Sequence, residues 1–256
     1  MNFKRLPIFL TIQGGCYAVF LFLDLRGDHL SLTTGIKFSV ILLCFVYSLW
    51  VREGNGARDL YLIRLALFFT LISDFIILLL PAKAYLYGVG SFLIVQQLYG
   101  VRLKCSDNRR RGLKESSGFL ASLLLRLTIE LMIAQVLLLG LAQVGVRRNS
   151  LMTASVFYIV CLIHNVITSV RLAIRRPREI SNTIFAVGLV FFLLCDINVG
   201  LFNLSGFIDF TGVTAEFLYQ IASLLMWTFY APSQILIALS AERLPSKITK
   251  NRKKIM

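Results

Sequence analysis

Eight stretches of about 20 residues, nearly free of charge, follow one another along this chain, and they limit its fold more than any other feature. They run about 7–23, 33–51, 60–80, 84–103, 118–139, 151–171, 182–204 and 216–240. A helix rises ~1.5 Å per residue, so ~20 apolar residues cross a hydrocarbon core of ~30 Å. Lipid gives the backbone no hydrogen-bond partners, so only helices and closed barrels span it. The alternating ten-residue strands of a barrel are absent. Composition agrees: 57% of residues are hydrophobic and 16% charged, against ~25% charged in soluble domains. The expected fold is all-α membrane: eight transmembrane helices in one integral domain over residues 1–256, with a basic tail at 241–256. Residues 1–23 combine a basic start with an apolar run that continues to Leu23, and read as the first span rather than a cleaved leader.

Charge sets the orientation. With eight spans, the N-terminus, three loops and the tail share one side. They hold 20 Lys and Arg, including Arg102, Lys104, Arg171 and Arg175, against 4 on the other side: Arg26, Lys83, Arg147 and Arg148. Lys37, Arg64 and Arg126 fall within or at the ends of spans. The positive-inside rule then places both termini in the cytoplasm. The net charge of +14 follows from topology and from attraction to the anionic cytoplasmic leaflet, not from nucleic acid, for which no binding domain exists. The expected location is the inner membrane of a bacterium or the endoplasmic reticulum of a eukaryote.

Within this apolar frame stand two aspartates, Asp74 in "LISDFIILLL" and Asp196 in "FFLLCDINV". An intramembrane charge costs at least ~2.5–3.5 kcal/mol on insertion scales, and such residues are as a rule functional. Each lies 14 residues after the expected start of its span, at Leu60 and Asn182, which is ~21 Å into the membrane in both cases. The contexts match too, "FFTLISD" against "FFLLCD". The following spans carry "QQLYG" and "FYAPSQ". This pattern suggests two four-helix parallel repeats with the aspartates facing each other across a shared interface. The plain alternative is that each aspartate only bonds a neighbouring helix.

Other polar residues in the spans carry weaker signals. Arg126 and Glu130 are four apart on the fifth span and can pair within one helix. Arg64 lies near a span end, from which it can snorkel. His164, beside Asn165, reads first as a helix contact and second as a ligand or base. Asn198 and Asn203 follow Asp196 and can hold a headgroup or bond their own backbone. Pro232 frees a carbonyl beside Gln234. With only His29 and His164, no multi-histidine metal site is expected, and no cofactor motif is present. Neither H-E-x-x-H nor G-x-S-x-G occurs. The five cysteines make no metal or disulfide spacing and read as small packing residues.

The runs "FFTLISDFIILLLPAKAYLYGVGSFLIVQQLY", "FFLLCDINVGLFN" and "MWTFYAPSQILIALS" resemble the lysoplasmalogenase, or YhhN-like, family of eight-span membrane proteins. The resemblance covers the third, fourth, seventh and eighth spans. It implies that Asp74 and Asp196 are the family's two acidic positions. Phe92, Tyr99, Tyr230 and Gln234 match neighbouring aromatic or polar positions. Gln96 stands where the family has His before the Tyr of the fourth span, which bears on substrate choice. Cys195 replaces a Ser, and the usual Asn–Phe is out of register at Phe202–Asn203.

The resemblance implies hydrolysis of the vinyl ether of lysoplasmalogens to a fatty aldehyde and a glycerophospho-base. Such a bond breaks by protonation of its β-carbon and addition of water to the resulting oxocarbenium ion. That chemistry asks for one carboxyl that keeps its proton and one that is ionised, as at the two acids of a glycosidase. Asp74 and Asp196 are the expected catalytic pair, with Gln96, Tyr99, Asn198, Tyr230 and Gln234 around the lysophospholipid and Glu130, His164 and Asn203 as secondary candidates. The competing reading is a transporter or sensor of a lipid or small solute, which would use the same aspartates for protons or a cation. A third is a scaffold that binds partner helices.

Overall fold

In a computed structural model the described residues are 5–27, 30–51, 56–111, 118–143, 145–146, 148–203 and 213–242. The expected basic positions Arg52, Arg147 and those from Arg243 onward lie outside them, as does His29. The described chain forms eight α-helices: α1 Arg5–Arg26, α2 Leu30–Trp50, α3 Ala57–Leu79, α4 Tyr85–Arg111, α5 Gly118–Gln143, α6 Ser150–Arg175, α7 Ile180–Phe202 and α8 Val213–Leu239. A single 3₁₀ turn, Ala82–Ala84, joins α3 to α4. No strand occurs among the described residues. Seven helices are long and apolar enough to cross a membrane, and the chain is a multi-pass membrane protein.

The exception is α4, where Tyr85, Tyr87, Gln96, Gln97 and Tyr99 dilute the apolar run. Its neighbours compensate in part. It packs against α3 and α6, Ser91 Oγ donates to the Phe69 carbonyl at 2.8 Å, and Gln96 is bonded from α6. A helix whose polar groups find partners in the bundle can be less apolar than one facing lipid. By contrast α5 packs on α6 and turns Leu125, Met132, Val136 and Leu139 outward, each at least 60% exposed. Such a greasy outer face suits lipid and would be a liability in water.

The tightest packing is of α3 on α4 and of α7 on α8. On α7 a methyl at Gly188 would meet Ile237 and the Ser233 carbonyl of α8 at 3.0–3.3 Å. The missing side chain lets the two backbones approach closely. Pro232 sits inside α8 and cannot donate to the Thr228 carbonyl one turn back. Tyr17 of α1 fills that role, its hydroxyl donating to the Thr228 oxygen at 3.1 Å.

Three arginines differ from, or complete, the charge pattern. Arg102, expected at the rim, is buried inside α4. It donates from Nε and Nη2 to both oxygens of Asp59 on α3, at 2.9 and 3.2 Å. It also donates to Ser240, on its Oγ and its carbonyl, just beyond α8. Ser181 of α7 donates to that same carbonyl, so the end of the bundle is tied across four helices. The bidentate pair satisfies charges that would otherwise be costly to bury. Arg64 bonds the carbonyls of Ser48, Leu49 and Val51 at the end of α2, at 2.7–3.2 Å. It thereby satisfies acceptors that every helix leaves open at its C-terminus. Arg176 donates to Ser106 and Asp107 of α4 at 3.0–3.1 Å. Accordingly α4 stays helical through Arg111 rather than ending near 103, helped by the good helix propensity of Lys and Arg.

Candidate functional site

Asp74 lies five residues before the end of α3, and Asp196 six before the end of α7. Each points into the protein. Asp74 is buried, and Tyr230 of α8 donates its hydroxyl to Asp74 Oδ2 at 2.6 Å. Asp196 is half-buried, and Tyr158 of α6 donates to its Oδ2 at 2.5 Å. Among the described residues neither carboxyl has an ion-pair partner.

Aromatic rings join the two acid–tyrosine contacts. Tyr158 packs on Phe92 at 5.8 Å between centroids, Phe92 on Phe192 at 5.7 Å, and Phe192 on Tyr230 at 5.6 Å. Trp227 meets Tyr230 edge-on at 5.3 Å. The wall so formed is aromatic, its polar groups being the phenol hydroxyls and the Trp227 indole N–H, and it fixes both tyrosines by packing. One turn before Asp74 is Thr70, and one turn after Tyr230 is Gln234, so each shares the helix face that carries the acid–tyrosine contact. Both are fully buried, as are Tyr99 and Gln96. Thr70 Oγ1, Tyr99 OH, Gln96 Nε2 and Gln234 Oε1 have no hydrogen-bond partner. Thr70 and Tyr99 are near neighbours. A buried polar atom without a partner costs ~1–3 kcal/mol, so among the described residues these four atoms leave hydrogen-bonding capacity unused.

Glu130 sits in a different setting. Arg126 Nε, one turn earlier on α5, donates to Glu130 Oε1 at 2.7 Å. His164 Nδ1 of α6 lies 2.7 Å from the same oxygen, and Cys161 Sγ donates to Oε2 at 3.2 Å. Arg126 also donates to Asn165 Oδ1 at 3.0 Å. Asn165 Nδ2 in turn donates at 2.8 Å to both the carbonyl and the side-chain oxygen of Gln96. The Arg126 guanidinium occupies the space that a side chain at Gly100 would need. Glu130 and His164 thus belong to a network that pins α4, α5 and α6 together, apart from the aspartates.

The remaining candidates divide. Tyr230, Tyr99, Gln96 and Gln234 face the interior of the bundle. Asn198 and Asn203 donate to carbonyls one turn back on α7, those of Leu194 and Val199, at 2.7 and 2.8 Å. That engages one of each amide's two donors with local backbone, and Asn203 is exposed. Tyr158 and Thr70 were not singled out from the sequence. A tyrosine or threonine in an apolar span is common, and only the fold shows which one meets a carboxyl. No group of His, Cys, Asp and Glu among the described residues is arranged to hold a metal.

Comparison with known proteins bears on this arrangement at the level of family. The model of the YhhN family matches residues 32–241, a stretch that includes α3, α4, α6, α7 and both aspartates. Searches of curated proteins and of solved structures find no match. A match over most of the chain shows membership, and the chain belongs to the YhhN family, which includes lysoplasmalogenase-like proteins.

Proposed function

We propose that the protein is an intramembrane hydrolase that cleaves the vinyl ether of lysoplasmalogen-type lysophospholipids, with Asp74 and Asp196 as its acid and base. The observation that carries this reading is the two carboxyls, each held by one tyrosine hydroxyl and, among the described residues, by no cation. Two carboxyls that line one apolar site favour a state in which one keeps its proton and the other is ionised. The protonated one gives its proton to the β-carbon of the vinyl ether. Its ionised partner stabilises the oxocarbenium ion and takes a proton from the attacking water. The hemiacetal then collapses, with its hydroxyl proton passing to the glycerol oxygen. One water is consumed, and one aldehyde and one glycerophospho-base are released. Acid catalysis of this kind contributes ~10²–10⁴-fold.

In this reading Tyr158 and Tyr230 are positioning residues that fix the outer oxygens of the two acids. Tyr99, Gln96 and Gln234, with Thr70, supply hydrogen bonds to water or to the glycerol of the substrate. The acyl-like chain lies along the aromatic wall. The α4 helix is taken as the eighth span, both termini as cytoplasmic, and the α3–α4 and α7–α8 pairs as the cores of two parallel halves. The test is purified protein incubated with lysoplasmalogen, alongside Asp74→Asn and Asp196→Asn. Aldehyde release by the native protein and its loss in each variant is expected. Full activity in both variants, or no cleavage by the native protein, would end the proposal.

A further inference from the structure

A crevice of about 380 Å³ opens between α4, α5 and α6, at the end of the bundle to which α6 brings Arg175. It does not include the aspartates. Each helix gives it one face. His164, Thr168, Arg171 and Arg175 recur on α6 at spacings of three and four, and Gly100 and Lys104 do so on α4. Arg126 lines it from α5. Four cationic side chains therefore surround one cleft, Lys104, Arg126, Arg171 and Arg175. The one acidic lining residue, Asp107, is engaged by Arg176 at 3.0 Å.

A cluster of surface cations would normally spread into solvent, and two features set this one apart. Arg126 is not a rim residue: its side chain is 14% exposed, and it is anchored by Glu130 and Asn165. Gly100 leaves the space that its guanidinium fills. A positioned guanidinium at the inner end of the cleft, with the exposed side chains of Arg171 and Arg175 at its mouth, matches the chemistry of a phosphate group. Basic pockets between membrane helices hold anionic headgroups in this way.

We propose that this crevice binds the phosphate of an anionic membrane lipid, with Arg126 at its base and Arg171 and Arg175 at its mouth. The site is separate from the aspartate pair and does not depend on the hydrolase reading. Through Arg126, Asn165 and Gln96, its occupancy bears on the position of α4.

The experiment uses the full-length protein in phosphatidylcholine nanodiscs doped with phosphatidic acid, with lipid retention read by native mass spectrometry. Arg171→Gln with Arg175→Gln removes two exposed charges without touching a buried partner. Retention of phosphatidic acid is expected to fall by roughly tenfold or more in this variant. A second variant, Lys253→Gln with Lys254→Gln, removes the same charge from the C-terminal tail and is expected to retain the lipid. Equal retention in all three proteins, or equal loss in both variants, overturns the site. Inorganic phosphate in millimolar excess separates the sources. Failure to displace the lipid assigns the site to the lipid headgroup, and displacement assigns it to the phosphate alone.

Discussion

The bundle holds acids in two contrasting ways. Glu130 is surrounded by Arg126, His164 and Cys161, so its charge is matched on the spot. Asp74 and Asp196 are each held by a tyrosine hydroxyl, with no ion-pair partner among the described residues. A carboxylate with a guanidinium beside it is the least costly kind of buried charge, and breaking the pair is what costs. A carboxyl with only a phenol is free to exchange a proton. The first arrangement fits holding helices together, and the second fits chemistry.

Substitutions at the two sites sharpen that contrast. The largest effect is expected at the aspartates. Asp74→Asn or Asp196→Asn should lower aldehyde release by ~10²–10⁴-fold with little change in melting temperature in detergent, because no ion pair is lost. Glu130→Gln should do the reverse. It leaves Arg126 without its counter-charge, at a cost of ~3–5 kcal/mol, seen as a lower melting temperature, while turnover per folded molecule is kept. If Glu130→Gln abolished turnover in protein that remains folded, the two sites would not be distinct.

The expected all-helical fold matches the structure, because apolar length marks seven of the eight described helices; α4 is helical without that mark and runs on to Arg111. Arg102 was not where its charge suggested. Its partners Asp59 and Ser240 are 43 and 138 residues away, and no local pattern announces such a pairing. The same holds for the site. Asp74 and Asp196 stand out because aspartate is rare in lipid. Tyr158 does not, since nothing in "VFYIVC" tells that its hydroxyl meets Asp196. For Asn198 and Asn203 the sequence leaves open a headgroup or their own backbone, and in the fold each gives one donor to a carbonyl one turn back.

Smaller effects refine the comparison. Tyr230→Phe and Tyr158→Phe each remove one hydrogen bond to a carboxyl, worth ~1.5–3 kcal/mol, and should slow turnover by roughly 10–100-fold. A greater loss in either than in its aspartate partner would make the tyrosine the proton donor. Asn203→Ala, at an exposed position bonded to its own helix, should change stability by less than ~0.5 kcal/mol and leave turnover unchanged.

The proton's destination gives the sharpest test. Lysoplasmalogen is cleaved in deuterated water, and the aldehyde is trapped as it forms and weighed. Protonation of the vinyl ether by a buried carboxylic acid places one deuterium on the carbon next to the aldehyde, and that product should vanish with Asp74→Asn or Asp196→Asn. Aldehyde released without that deuterium, or released undiminished by both variants, would contradict an aspartate pair acting as acid and base.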